Sequence, residues 1–315
     1  MRTIGRREFL LAAGSAYAAL TGLAAFPRVA RGQGTGLAFT ELRPGLWQVS
    51  GAGGNVLLLR TPDGIAMVDS GAPEHTAALR AAMKERLGDA PVALLFNTHW
   101  HLDHAGGNDP FGAAGTTIVA HMNTRLWMST EFYVDWEDKT YPPRSPEALP
   151  TRTFYSSDPQ PIELELGGEP IEYGHLDGAH TDGDIYVFFR RLNVIAAGGA
   201  VAVGRYPVPD TATGGWIGGT AASTAKLLAL ADDDTLVVPG HGPAQRRPHL
   251  EAQHEMLTTV QRRMEEGMRK GLSAEDMVAE GLTAEFDAKW GNNRDRFVSN
   301  VYDGLWWGGR LSGAI

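Results

Sequence analysis

The sequence contains no cysteine among its 315 residues, which excludes disulfide bonds and any thiolate ligand to a metal ion. Basic residues are also in short supply, since 28 Lys and Arg face 37 Asp and Glu and give a formal net charge of −9. No cluster of Lys and Arg with interleaved aromatic residues is present, so nucleic acid is not an expected partner. Internal repeats and low-complexity tracts are absent too. With 43% hydrophobic residues, the chain is long enough to bury a substantial core.

The N-terminus has the composition of an export signal. Residues 5–10 read GRREFL and are followed by an Ala- and Gly-rich run at residues 11–26. Two adjacent arginines ahead of a mildly apolar stretch resemble a twin-arginine signal peptide, which we place at residues 1–33. Ala and Gly make the run too weakly apolar for a stable membrane span, so none is expected once the leader is removed. A periplasmic or secreted location follows from this interpretation.

Four side chains able to bind a metal follow directly after the apolar, strand-like run 92–96. They are His99, His101, Asp103 and His104. Alternate residues of an extended segment point to the same side, so His99 and His101 face one position, while Asp103 and His104 begin a turn that faces a second. Imidazole nitrogens and a carboxylate are ligands that suit zinc. The run therefore predicts two neighbouring metal positions.

Two further histidines lie between glycines, where the backbone can approach a site closely. His180 stands in the segment GAHTDG, and His241 stands in PGHG. Combined with the first run, they give His99, His101 and His180 for one metal. Asp103, His104 and His241 remain for the other. Three protein ligands each leave coordination open for water, which is typical of catalytic rather than structural sites.

These motifs together resemble the metallo-β-lactamase superfamily. The matching pieces are Asp69 within MVDSG, the HxHxDH run, His180 in its HTxG context and the PGHG segment, in the family's order and over about residues 36–245. The resemblance implies an α+β fold, a four-layer αβ/βα sandwich of the metallo-β-lactamase type. It implies a metallo-β-lactamase-like domain at residues 34–247 and a C-terminal helical extension at 248–315 packed on that domain. The family includes β-lactamases, lactonases, thioesterases, nucleases and oxygenases, so the resemblance leaves the substrate open.

One position departs from the family pattern. Most members carry an Asp that bridges both metals after the strand that follows the third motif, and Gly199 stands there in this chain. The loss of that anionic ligand is expected to weaken the second metal site. It also counts against the iron-dependent relatives, whereas β-lactamases of the family dispense with this Asp. Asp210 is near enough in sequence to reach back to the metals, although a turn carboxylate is its simpler interpretation.

The resemblance implies a zinc-dependent hydrolase with one or two ions per chain. Metal-activated water would attack an amide-like, ester or thioester carbonyl of a small molecule, with a β-lactam as one candidate substrate. Asp103 would also orient the attacking water, and Asp69 would fix the orientation of a ligand histidine. The alternatives are a mononuclear iron enzyme similar to sulfur oxygenases and a catalytically silent metal-binding protein.

Two regions of the chain are candidates for contact with the substrate. Arg205 follows the third-motif strand, where β-lactamase relatives often anchor a substrate carboxylate, and its guanidinium suits bidentate pairing; a solvated surface arginine is the alternative. Residues 121–154 form the least regular and most aromatic part of the chain. Trp127 and Trp136 lie in this part, which we interpret as a lid over the metals or as a packed segment.

Hydrophobic periodicity predicts the elements between these motifs. Amphipathic helices are expected at 74–87 and 220–230, and the pattern turns helical from residue 248, with a cap at 273–276. The predicted strands are 46–50, 55–59, 65–69, 92–98, 117–120, 162–166, 171–174, 185–189, 194–197 and 236–239.

Overall fold

The computed structural model describes residues 29–31, 36–134 and 139–311. The predicted leader lies outside the described residues except for a short strand at its end. Trp136 also lies outside them. In the described part of the chain the strands, in order, are β1 (Val29–Arg31), β2 (Ala38–Arg43), β3 (Leu46–Ala52), β4 (Gly54–Thr61), β5 (Gly64–Val68), β6 (Val92–Phe96), β7 (Thr117–His121), β8 (Phe132–Val134), β9 (Lys139–Tyr141), β10 (Arg152–Phe154), β11 (Ile162–Leu166), β12 (Glu169–His175), β13 (Ile185–Phe189), β14 (Val194–Gly198) and β15 (Leu236–Pro239).

Two mixed sheets are built from these strands. The first has the order β1-β2-β3-β4-β5-β6-β7-β10 and changes from antiparallel to parallel pairing at β5 and β6. The second has the order β11-β12-β13-β14-β15 and is antiparallel except for its last pair. Strands β8 and β9 form a separate hairpin. All ten predicted strands are present with slightly shifted ends.

The α-helices lie outside the two sheets. Within the described residues they are α1 (Thr76–Leu87), α2 (Leu102–Ala105), α3 (Asp109–Ala113), α4 (Met122–Ser129), α5 (Ile217–Leu230), α6 (Arg247–Arg269), α7 (Ala274–Ala279), α8 (Asp287–Trp290) and α9 (Arg294–Leu311). Both amphipathic helices expected from periodicity are confirmed as α1 and α5, and the predicted cap is a capping box formed by Ser273 and Asp276 at the start of α7.

Alternating side chains of each strand divide the core into layers. In β4, Leu57 and Leu59 join the cluster between the sheets, which also contains Val187 and Ala196 of the second sheet. The intervening Val56 and Leu58 face outward and pack in the cluster that includes helix α1. The outer face of the second sheet is covered in the same way by α5 and α6. The predicted four-layer α+β sandwich is therefore confirmed.

The helices after β15 share a core with the sandwich. Met256 and Val260 of α6 and Phe297 of α9 lie in one cluster with Ile217 and Ala221 of α5. Because α5 also packs on the second sheet, this cluster attaches the C-terminal helices to the sandwich. Of the helices in the described part of the chain, none combines the length and the apolar character that crossing a bilayer requires.

Two buried histidines stack where β7 and β12 end, one from each sheet. The rings of His121 and His175 are 4.0 Å apart and nearly parallel, at 4°. His121 also caps α4, because its Nδ1 accepts a hydrogen bond from the backbone N–H of Asn123. Burial and the neighbouring His175 lower the pKa of His121 from 6.5 to about 4. The pair is therefore held in its neutral form.

We predict that this pair makes the metal-free protein less stable in acid. The unfolded chain binds more protons than the folded chain between pH 6.5 and about 4, so the free energy of unfolding falls as the pH is lowered through that window. His121→Asn keeps a capping acceptor and removes the titrating ring. Between pH 7.5 and pH 5, urea unfolding should show on the order of 1 kcal/mol more loss in the wild type than in this variant. Equal losses would contradict the prediction.

Candidate metal centre

The strand ends that carry the metal motifs meet at one edge of the sandwich. Strands β5 and β6 run parallel, so Asp69 and the 97–104 segment leave the first sheet at the same edge. In the second sheet, the connection from β12 to β13 carries His180, and the ends of β14 and β15 lead to Gly199 and His241. Segments that are distant in sequence thus converge because of strand direction.

The HxHxDH run divides between two sites as its pattern predicts. The segment after β6 bends at residues 98–100, His101 precedes α2, and the first turn of α2 carries Asp103 and His104. The structure brings His99 and His101 together with His180. Asp103 and His104 lie with His241 in a second group, and in each group the possible ligand atoms all lie within 4.8 Å of one another. All six predicted side chains therefore fall into two groups that could each hold a metal ion.

Asp69 fixes the orientation of two imidazole rings, that of His104 directly and that of His99 through Thr98. Its carboxylate accepts hydrogen bonds from the backbone N–H of Thr98 at 2.7 Å, from the Thr98 hydroxyl at 2.7 Å and from His104 Nδ1 at 2.8 Å. Because the Thr98 hydroxyl proton is used on Asp69, its oxygen accepts from His99 Nδ1 at 3.0 Å. Both imidazoles thus carry the outer proton and turn Nε2 toward the site. Asp69 adopts a φ of 59°, a conformation that Asp tolerates better than most residues.

The other two ligand candidates of the first group are oriented by the segment after β14. The carbonyl oxygen of Val208 accepts from His180 Nδ1 at 2.8 Å. The carboxylate of Asp210 accepts from His101 Nε2 at 3.0 Å. These bonds leave His180 Nε2 and His101 Nδ1 as bare acceptors, and they face each other at 3.0 Å. Two lone pairs at that distance repel unless a proton or a metal ion lies between them, so this arrangement is compatible with a bound metal ion.

The protonation of these groups also suits metal binding. Burial and the neighbouring His104 lower the pKa of His99 well below its usual value, and burial and His101 lower the pKa of His180 to about 3. Neutral imidazole is the form that binds a metal.

Charge is arranged differently in the second group. Burial raises the pKa of Asp103, but the hydrogen bond from His241 and the nearby His104 outweigh burial and hold that pKa below its usual range. Burial lowers the pKa of His104, but Asp69 and Asp103 outweigh it and raise that pKa above its usual value. Without a metal the carboxylates therefore favour a proton on His104, and a metal ion at this position would displace it.

Gly199 is a steric requirement of the site. A Cβ atom at this position would lie 2.4 Å from Cδ2 and 2.6 Å from Cγ of the His180 ring. Asp210 does not stand in for the missing bridging carboxylate. Its Oδ2 contacts the outward nitrogen of His101 and also accepts from the Thr213 hydroxyl at 2.8 Å. The simple turn interpretation of Asp210 is therefore incomplete, because this buried carboxylate orients a ligand histidine.

Removal of the Asp210 carboxylate should weaken metal binding. In Asp210→Ala the His101 ring loses the acceptor that fixes its orientation, and losses of this kind typically reduce metal affinity about 10–100-fold. Titration against a chromophoric chelator measures the change. Thr211→Ala is a matched control, since that side chain lines the same cavity and makes no side-chain hydrogen bond to the described residues. Equal affinities of the two variants would exclude the assigned role.

Asp184, a carboxylate that no sequence motif marks, binds the backbone of His180. Asp184 is buried and accepts hydrogen bonds from the backbone N–H groups of His180 and Thr181 and from the Thr181 hydroxyl. Burial raises the pKa of Asp184 to about 7. Its only sequence signal is its place four residues after His180, beside a glycine turn.

Both groups open into a cavity of about 780 Å³, whose wall includes Arg205. Trp127 is not among the residues that line it. Its indole N–H donates to Asp182 at 2.8 Å, and its ring packs against Trp100 and Phe132. The Trp127 side chain is thus packed against its neighbours, and its expected contact with substrate stays a prediction.

Comparisons with known proteins agree with this geometry. The family model of the metallo-beta-lactamase superfamily matches residues 49–241. The alpha subunit of 2,4-dinitroanisole O-demethylase from Nocardioides sp. is 24% identical over 261 residues, which cover 81% of this chain and 74% of the relative.

Two solved structures are similar in fold. A metallo-beta-lactamase from Pontibacter korlensis is 19% identical with a TM-score of 0.54, and the match covers 74% of this chain and 99% of that chain. A stereoselective inverting sec-alkylsulfatase from Pseudomonas sp. is 16% identical with a TM-score of 0.64. That match covers 88% of this chain but only 52% of the sulfatase, so this chain spans about half the sulfatase's length.

Proposed function

Since the chain belongs to the metallo-β-lactamase superfamily, we propose that it is a zinc-dependent hydrolase of small molecules. The observation that carries this proposal is the pair of three-residue groups at one cavity, with oriented imidazoles turned inward. Nitrogen and carboxylate donors without a thiolate suit zinc, and three protein ligands per position leave room for water. Superfamily members bind metal ions, and one or two zinc ions per chain fit the two groups.

The two groups and the cavity wall would have different roles in hydrolysis. His99, His101 and His180 would hold one ion, and Asp103, His104 and His241 the other. A bound zinc ion would supply Lewis acidity and lower the pKa of water. Asp103 is 40% exposed on its side chain and its low pKa keeps it ionised, so it can accept a hydrogen bond from the attacking water and orient it. The Arg205 side of the cavity would receive the rest of the substrate.

The reaction class follows from what such a site activates. Attack of water on an amide-like, ester or thioester carbonyl remains our leading proposal, and a β-lactam is one candidate substrate. The names of the relatives add a sulfate ester and an aryl methyl ether to the substrates worth testing. Two three-residue groups argue against a mononuclear iron enzyme, which needs only one.

A substrate panel tests the proposal. Zinc-loaded protein would be assayed with β-lactams, lactones, thioesters, sec-alkyl sulfate esters and nitroaryl methyl ethers. We expect hydrolysis of at least one class, lost on chelation and restored by zinc. Iron as the retained metal, with oxygen uptake on a thiol-derived substrate, would favour the oxygenase alternative. No turnover by fully metallated protein would favour a silent metal-binding protein.

We also propose that the chain is exported by the twin-arginine route, with residues 1–33 as the leader. The support is the sequence alone, namely the paired Arg6 and Arg7 before the weakly apolar run. A reporter fused to the leader should reach the periplasm, and Arg6→Lys combined with Arg7→Lys should retain it in the cytoplasm.

A further inference from the structure

The C-terminal helix α9 forms part of the wall of the metal cavity. Arg296, Asn300 and Asp303 all line it. Their spacing of four and three residues places them on one face of the helix. These residues lie beyond the region that matches the family, residues 49–241. The wall that faces the metals therefore includes an element that the family match does not describe.

Helix α9 is attached to the same segment that orients the ligand histidines. The ring of Tyr206 stacks on that of Phe297, with centroids 4.5 Å apart and planes at 7°. Asn293 makes two hydrogen bonds to the Tyr206 backbone, and Asn300 Nδ2 donates to the carbonyl oxygen of Pro209 at 3.2 Å. Val208, which binds His180, lies between these anchors, and Asp210, which binds His101, directly follows the second anchor. These contacts fix the position of α9 relative to the proposed metal ligands.

Two guanidinium groups in this wall have no partner among the described residues. Arg205 and Arg296 are both exposed and line the cavity, and neither forms a hydrogen bond or ion pair with the residues that the structure describes. Several other arginines of the C-terminal helices are paired, among them Arg263 with Glu285, and Arg294 with Asp287 and Asp295. Asp303, the acidic residue of the α9 wall, is likewise unpaired within the described residues. Two unpaired cations in the cavity of an acidic chain favour an anion there.

We propose that Arg296 of α9 and Arg205 form an anion-binding wall that selects substrates carrying a carboxylate or sulfo group beside the bond to be cleaved. Guanidinium groups bind such oxyanions through paired N–H donors, which makes the contact specific for geometry as well as charge. The inference rests on the proposed function of the metal site and deepens it, since it names the class of substrate. Exposure of both side chains limits the gain, because solvent and salt screen the pair.

Small thiols on cobalt-loaded protein test the wall without turnover. The thiolate binds the metal and is followed by its cobalt absorption band, while the other end of the probe varies: 3-mercaptopropionate, 2-mercaptoethanesulfonate and the neutral 3-mercapto-1-propanol. We expect the anionic probes to bind about fivefold or more tightly than the neutral one, and Arg296→Gln to remove most of that preference. Arg262→Gln removes one arginine from the exposed face of α6 and should retain the preference.

The outcomes separate the wall from the metal site. Equal affinities for charged and neutral thiols, or a preference that survives Arg296→Gln and Arg205→Gln together, would overturn the wall while the metal site stands. Loss of the preference in Arg262→Gln as well would show an effect of net charge and would also overturn it. Protein that binds no cobalt, or no thiol, would overturn the proposed function and this inference with it. A preference for one anionic probe alone would identify the carboxylate or the sulfo group as the one selected.

Discussion

His101→Ala is expected to lose most of its metal and to reduce hydrolytic activity by more than about 100-fold. His101 Nδ1 faces His180 Nε2 at 3.0 Å in the first group, so its removal leaves only two protein ligands there. The variant also removes the hydrogen bond that the buried Asp210 carboxylate accepts from His101. Elemental analysis of the purified variant measures the metal, and the substrate identified by the panel measures the activity.

A half-buried histidine that does not line the cavity supplies the control for this prediction. His75 lies before α1, away from the metal cavity, and its side chain makes no hydrogen bond to the described residues. His75→Ala should keep both metal content and turnover. Circular dichroism of the two variants excludes a general loss of fold. Full zinc content together with normal turnover in His101→Ala would contradict the ligand assignment.

Gly199→Asp is expected to damage the site rather than to restore the family's bridging carboxylate. The added Cβ would lie 2.4 Å from Cδ2 of His180. His180 is held in place, because its Nδ1 donates to the carbonyl oxygen of Val208 and its backbone N–H donates to Asp184. We expect metal affinity at the first group to fall on the order of tenfold or more, as for other changes that misplace a ligand.

Gly199→Ala separates the steric effect from the charge. It introduces the same Cβ without a carboxylate, so both variants should be impaired. Gly115→Ala is the control, because a Cβ there meets nothing within 4 Å and carries only the cost of its positive φ. Competition with a chelator measures the metal affinities of the three variants and of the wild type. Tighter metal binding by Gly199→Asp than by the wild type would show that the loop can open and accept a bridging ligand.

The two proposed groups of metal ligands could be predicted from sequence because each residue is marked locally. His99, His101, Asp103 and His104 are contiguous in their pattern, and His180 and His241 are each flanked by glycines that allow close approach. The strands that present them are apolar runs of clear periodicity. Pattern and residue chemistry are sufficient for such a site because the sheet edge on which the motifs meet follows from strand direction.

The remainder of the site depends on contacts that no local pattern carries. The contact between Asp210 and His101 and the clash at Gly199 are set by the path of the loop after β14. Arg296 reaches the cavity only because α9 packs on Tyr206. Among the strands, β2 and the short β1, β8, β9 and β10 were not predicted. The four short strands have three residues each, too few to establish a period.

The most direct test of the account is the metal content of the protein purified without chelator and then dialysed against metal-free buffer. Inductively coupled plasma mass spectrometry should find zinc in a ratio of about one to two ions per chain, because two groups of three inward-facing ligands each define a position. Protein that retains no transition metal, and takes up none when zinc is added back, would contradict the account at its centre.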